Sequence, residues 1–164
     1  MIATALISTP DELAALDTAL RSGPSATAVL ASWCAARGLA GRMHVERLDV
    51  AGAPSPPEPS GLLPTARPRY RHIRMFCGDI AVSEAENWYD ETALDPAMRV
   101  ALARTDTPFG IAVAGLRFQR RLIAAQIDAR GLEHRAALYR SGHEAPFCVV
   151  VERYGCATPG ETVA

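Results

Sequence analysis

Two stretches of the chain alternate with a period of two and yet place charge on the side that should be buried. In residues 71–77 (RHIRMFC), Arg71, Ile73, Met75 and Cys77 share one side; in residues 146–154 (PFCVVVERY), Cys148, Val150, Glu152 and Tyr154 do. An ionised side chain within an apolar strand face is costly unless a partner, a ligand or a proton relieves it. A buried arginine and a buried glutamate in one small sheet therefore point to a polar pocket.

The remaining pattern predicts the elements around these strands. Thr9-Pro10-Asp11-Glu12 has the form of a capping box and opens a helix with Leu13, Leu16 and Leu20 on one face, ending near Gly23. A second helix starts at Ser25 or Thr27, presents Val29, Leu30 and Trp33, and stops at Gly38. Residues 42–50 alternate as a strand. Residues 51–69 are so dense in proline, glycine and serine that helix and interior strand are both excluded, which predicts a mobile loop or flap. A hairpin follows over residues 70–77 and 80–89, turning at Gly78-Asp79. Asp95-Pro96 and Thr107-Pro108 each start a short helix. Residues 117–127 read as a strand or long ribbon, residues 135–139 and 147–154 as a final hairpin, and 156–164 as a frayed tail. Strands joined by tight turns, with helices to one side, define an α+β fold with an antiparallel sheet, a single domain over residues 1–164.

Composition narrows the function classes. A chain of 164 residues, 49% hydrophobic and with net charge −1, is expected to be globular, with no basic footprint for nucleic acid. No apolar run is long enough to span a membrane and the first residues lack a signal-peptide pattern, so a cytoplasmic location is expected. All 17 basic residues are arginine. Lysine chemistry is thereby excluded, and anions must be held by arginine or backbone amides. Cys34, Cys77, Cys148 and Cys156 have no metal or disulfide spacing. His44, His72, His134 and His143 form no metal set; His134, beside Arg135, falls near the expected pocket mouth.

The order of the parts resembles the chorismate pyruvate-lyase-like family. The resemblance runs over residues 25–154. It rests on the helix start Ser-Ala-Thr-Ala-Val-Leu, the strand RMHVERL, the Arg-x-Ile-x-Met strand at Arg71, and Ala85-Glu86-Asn87. It continues through the Thr-Asp-Thr-Pro-Phe-Gly box ending at Phe109-Gly110, Arg120-Arg121, and the closing Val-Val-Glu-Arg-Tyr. The proline-rich loop has no counterpart there, and Ala26 stands where some lyases carry a larger apolar residue. The resemblance implies an antiparallel sheet wrapped by helices, with ligand buried between them and no cofactor. It implies that Arg71 grips a substrate carboxylate, because a planar guanidinium can hold it by two bonds. It implies that Glu152 meets the ring hydroxyl. Phe109, Gly110, Glu86, Arg135 and Arg120 are the further candidate substrate-binding residues. Arg120 and Arg121 alternate faces, so one points inward, and Glu86 is a candidate orienting partner for Arg71. Backbone amides near Pro108-Phe109-Gly110 are candidates for a second carboxylate.

The implied activity is elimination of pyruvate from chorismate, or from a related carboxylated cyclic substrate, to an aromatic acid such as 4-hydroxybenzoate. Two alternatives stand beside it: a cofactor-free dehydratase or cyclase using the same pocket, and a non-catalytic module that binds a small anion. The fold is also similar to effector-binding domains of certain bacterial transcription regulators, so fold alone does not assign function. Such a domain comes fused to a DNA-binding helix-turn-helix, which the short, acidic N-terminal half does not resemble. That favours the enzyme. Arg71 and Glu152 could equally pair as a structural bridge.

Overall fold

Thr9 begins the first helix as its spacing predicts. Its hydroxyl accepts from the Glu12 N–H at 3.2 Å, and the Glu12 carboxylate accepts from the Thr9 N–H at 3.1 Å. This closes two of the otherwise unpaired N–H groups of the first turn, a motif whose N-cap is worth about 1 kcal/mol. In the computed structural model, which describes residues 9–48, 52–57 and 62–155, the helices are α1 (Pro10–Ser22), α2 (Ala26–Ala36), α3 (Pro96–Arg104) and the single turn α4 (Phe109–Ala112). The strands are β1 (Met43–Arg47), β2 (Arg69–Cys77), β3 (Ile80–Tyr89), β4 (Gln119–Asp128), β5 (Gly131–Tyr139) and β6 (Pro146–Tyr154). They form one antiparallel sheet in the order β1-β2-β3-β6-β5-β4. The α+β class expected from the turn spacing holds.

The β2–β3 turn needs glycine at its first position. Gly78 has φ +58°, and a Cβ there would come within 2.9 Å of the Ala40 carbonyl oxygen. β6 lies between β3 and β5, so both of its edges are paired; helices cover one face and Leu62 and Leu63 pack on the other, and all its residues but Arg153 are buried. That explains a run of Cys-Val-Val-Val where an edge strand would alternate with polar residues.

Period two divides the sheet into two faces. The inner face carries Ile73, Met75, Ala85, Leu132, Ala136, Val150 and Tyr154, packed against Leu13, Leu16 and Leu20 of α1 and Leu30 and Cys34 of α2. Further along the same sheet, Tyr89, Leu138 and Cys148 meet Leu102 of α3 and Phe109 of α4. Leu16 is fully buried; Leu16→Ala is worth a loss of about 2–5 kcal/mol. The outer face presents Trp88, Val149 and Val151 to Leu62 and Leu63.

That outer layer changes the picture of the proline-rich stretch. Two points of its described part are anchored to the sheet: Leu63 is buried on Trp88, and the Trp88 indole N–H donates to the Pro54 carbonyl at 2.8 Å, while residues 52–55 are exposed. It covers the outer face of the sheet, not the helix side. Arg69, expected as its last residue, is the first of β2. Residues 51 and 58–61, like the expected tail at 156–164 and residues 1–8, lie outside the described residues.

β5 begins earlier than its sequence suggests, at Gly131, because a turn at 129–130 pairs it with the ribbon that forms β4. β4 is one of the sheet's two edge strands, and Ile123 and Ile127 along it are exposed.

Candidate functional site

The inner-face charges fall into two groups. β6 turns Glu152 inward beside Ala85 of β3 and His134 of β5. The edge strand β4 reaches the same place through Arg120, whose Nη2 donates to Glu152 Oε2 at 2.5 Å and to His134 Nδ1 at 3.0 Å. The Tyr154 hydroxyl donates to the same Glu152 oxygen at 3.0 Å. A guanidinium can only donate, so His134 Nδ1 accepts and the ring proton sits on Nε2, where it donates to Asp17 Oδ1 of α1 at 2.6 Å. The result is a continuous chain, Tyr154–Glu152–Arg120–His134–Asp17, that crosses the core from β6 to the first helix.

The electrostatics follow from burial and partners. His134 is fully buried, and burial lowers its pKa below the ordinary histidine value; Arg120 adds to this while Asp17 and Glu152 oppose it. Burial works to lower Arg120, but the Glu152 carboxylate outweighs it and holds the guanidinium above its usual value. Burial raises Tyr154 well above the ordinary phenol range, and Glu152 raises it further. Burial also works to raise Asp17, but hydrogen bonds from His134 and Arg21 hold its carboxyl below the usual range.

This chain borders a partly open cavity of about 50 Å³ whose apolar walls include Ile73, Met75, Phe109, Leu138 and Val150. Two polar atoms on its lining residues are buried with no hydrogen-bond partner: Arg120 Nε, a donor, and Asn87 Oδ1, an acceptor. The Asn87 amide N–H makes only a long contact, 3.9 Å, to Cys148 Sγ. An apolar cavity with a few convergent polar groups is the usual form of a small-molecule site. Its present volume of about 50 Å³ accommodates about three to five waters, at roughly 10–15 Å³ each.

The structure brings together four of the expected residues: Glu152, Arg120, Phe109 and Gly110 all line the cavity. Of the arginine pair, Arg120 points inward, while Arg121 lies outside over the Tyr139 ring. Gly110 serves close packing, since a Cβ there would lie 3.2 Å from Thr27 Oγ1 of α2.

Arg71 is placed differently from expectation. It is buried on the inner face beside Asn87, but it does not line this cavity, and Glu152 is bonded to Arg120 instead. The Arg71 side chain donates from Nη2 to the Thr107 carbonyl at 2.9 Å, leaving Nε and Nη1 buried without partners. Burial pulls its pKa down to about 10, and the charge of Arg47 adds to this.

Glu86 and Arg135 are on the outer face. Register pairs Glu86 with His72, not with Arg71. Glu86 accepts from the Tyr70 hydroxyl at 2.7 Å and from Arg153 at 2.8 Å. Arg135 donates to Glu133, which also binds Arg153. These are links of a surface ion-pair network, separated from the cavity by the sheet. Asn87 and the inward role of His134 were not read from the sequence. The signal for Asn87 was present: a polar residue at an inward position of β3, two places from Ala85.

No family model matches the chain. Among curated proteins it is similar to "Uncharacterized protein y4mC" of Sinorhizobium fredii (strain NBRC 101917 / NGR234), with 35% identity over 132 residues, 70% of this chain and 51% of that protein. The chain thus spans about half the length of the curated relative it matches. Among solved structures it is similar to the crystal structure of the PhnF C-terminal domain, with 15% identity and a TM-score of 0.35 over 52% of this chain and 64% of that one. Among the described residues, no helix is long and apolar enough to cross a membrane, and no group of histidine, cysteine and carboxylate side chains has metal-binding geometry.

Proposed function

We propose that the domain binds a small carboxylated ring compound between the inner face of its sheet and helices α2 and α4. One observation carries this reading: Arg120 Nε and Asn87 Oδ1 are buried and unpaired on the walls of a largely apolar cavity. Buried polar groups left without partners are destabilising by about 1–3 kcal/mol each, and a ligand carrying an acceptor and a hydroxyl satisfies both. The ring lies against Ile73, Met75, Phe109, Leu138 and Val150. A six-membered ring needs more room than about 50 Å³, so binding moves the α2–α4 wall outward.

The reaction proposed for this site is pyruvate elimination from chorismate, in line with the chorismate-lyase-like resemblance. The ether bond between ring and enolpyruvyl group breaks, the ring loses a hydrogen and becomes aromatic, and the released enol takes up a proton to give pyruvate. In this reading Glu152 accepts the ring proton and Arg120 holds the substrate's negative charge.

A second reading, binding without chemistry, is favoured by a specific observation: Glu152 Oε2 already accepts from both Arg120 and Tyr154. A carboxylate so engaged is better suited to hold a structure than to shuttle a proton. Incubating the protein with chorismate separates the readings. Formation of 4-hydroxybenzoate and pyruvate supports the lyase. Calorimetric binding of 4-hydroxybenzoate with no turnover supports the binding module. Neither binding nor turnover overturns both.

A further inference from the structure

Arg47 and Arg71 are two positive charges close enough that Arg47 lowers the Arg71 pKa, and among the described residues no carboxylate bonds to either. β1 ends at Arg47, which register places opposite Ile73, the next inward residue after Arg71 on β2. Each acts electrostatically on the Tyr89 phenol, as does Arg69. Arg69 is balanced by Glu91 at 2.9 Å. Among the described residues, neither Arg47 nor Arg71 has a carboxylate partner: Arg47 donates to the Leu102 carbonyl and Arg71 to that of Thr107. Arg71 is only 3% exposed, and its Nε and Nη1 are unpaired. A folded protein does not ordinarily retain a buried, half-satisfied guanidinium next to a second one, since burial and like charge both disfavour it. Beside this pair, where β1 stops and leaves the edge of β2 uncovered, a cleft of about 440 Å³ opens. Arg47, Arg69 and Arg71 line it together with Gly52 and Ala53 of the proline-rich stretch.

We infer that this cleft is an anion-binding site, separate from the cavity at Glu152, in which Arg47 and Arg71 together hold a dianionic group, either a phosphate or a pair of carboxylates. Two guanidiniums match two negative charges, and each presents a planar fork suited to oxygen anions. The site goes beyond the function proposed above and does not depend on it.

The test uses the whole chain and three probes without a ring: inorganic phosphate, malonate and acetate, titrated calorimetrically at constant ionic strength. The expected result is binding of phosphate or malonate at least tenfold tighter than acetate, with the tighter of the two identifying the source of the dianion. Arg47 is exposed, so Arg47→Gln is expected to fold and to lose that preference. Should Arg47→Gln lower the folded fraction, Arg47→Lys is read in its place; it keeps the charge but lacks the fork, and is expected to bind several-fold more weakly. Arg71→Lys is expected to show a loss of similar size. Equal affinity for all three anions, no binding of any, or unchanged binding in the Arg47 variants would overturn the proposal. Because these probes have no ring, their failure leaves the cavity reading intact, and failure of 4-hydroxybenzoate to bind leaves this one intact.

Discussion

Arg120 Nη2 stands 2.5 Å from Glu152 Oε2, with only 5% and 10% of the two side chains exposed. The pair joins an edge strand to the sheet's centre through the core. Breaking a buried pair by removing one partner strands the other charge, at about 3–5 kcal/mol, whereas replacing both with apolar groups is often near neutral. Arg120→Leu is therefore expected to destabilise the protein by about that amount in urea unfolding. The double replacement of Arg120 and Glu152 by leucine and methionine is expected to recover most of the loss. A double variant no more stable than the single one would show that the pair is not the cause.

Glu152→Gln addresses the same oxygen from the side of chemistry. Glutamine keeps the volume and one acceptor, so the fold is expected to survive, with a loss of roughly 1–3 kcal/mol from weakening the bonds with Arg120 and Tyr154. It cannot take up a proton as the carboxylate does. If the domain performs the proposed elimination, turnover should fall by about 10²–10⁴-fold. Melting temperature and turnover measured on one preparation separate a structural effect from a chemical one.

His134 makes stability depend on pH in a defined direction. Burial, the largest cause, lowers its pKa below 6.5 in the folded protein, while the unfolded chain returns to about that value. Between the two, the unfolded state binds the extra proton, so stability is fully present above about pH 6.5 and is lost as the pH falls toward the folded value. Asp17, also held below its ordinary 3.8, adds a further loss in the same direction at lower pH. His134→Gln is expected to flatten the first of these slopes, measured as unfolding midpoint against pH from 7.5 to 5. An unchanged slope would remove His134 from the chain.

Trp88→Phe tests the attachment of the proline-rich stretch. Phenylalanine keeps most of the ring packing against Leu63 and Val149 but cannot donate to the Pro54 carbonyl. The expected stability loss is about 1 kcal/mol, the net value of one hydrogen bond. Limited proteolysis within residues 52–57 should become faster. Cleavage at the wild-type rate would mean that other contacts hold the segment.

How far the sequence reveals this arrangement depends on whether a signal is local. The Thr9 capping box, Ser25 and Asp95 as helix starts, and the turn at Gly78-Asp79 are all set by neighbouring residues, and all appear where expected. The inward positions of Arg71 and Glu152 also follow from period two alone. Their partners do not. Arg120 is 32 residues from Glu152 and reaches it because β4 folds back on β5; Asp17 meets His134 across the packing of α1 on the sheet. The expected union of Arg71 with Glu152 fails because register sets Arg71 beside Asn87, leaving Ala85 beside Glu152. Proline density correctly excludes regular structure from residues 52–57, but it says nothing about Leu63 or Trp88 anchoring the stretch to the outer face.

The cavity beside Arg120, Asn87 and Glu152 is proposed to receive a hydroxylated ring carboxylate. Calorimetric titration of the protein with 4-hydroxybenzoate and with benzoate tests it most directly, since the two differ only in the hydroxyl that the polar wall should recognise. A hydrogen bond from the hydroxyl to the neutral Asn87 Oδ1 is worth about 0.5–1.5 kcal/mol, so 4-hydroxybenzoate should bind roughly 2- to 10-fold more tightly. Equal affinities, or no heat of binding from either compound, would contradict the account.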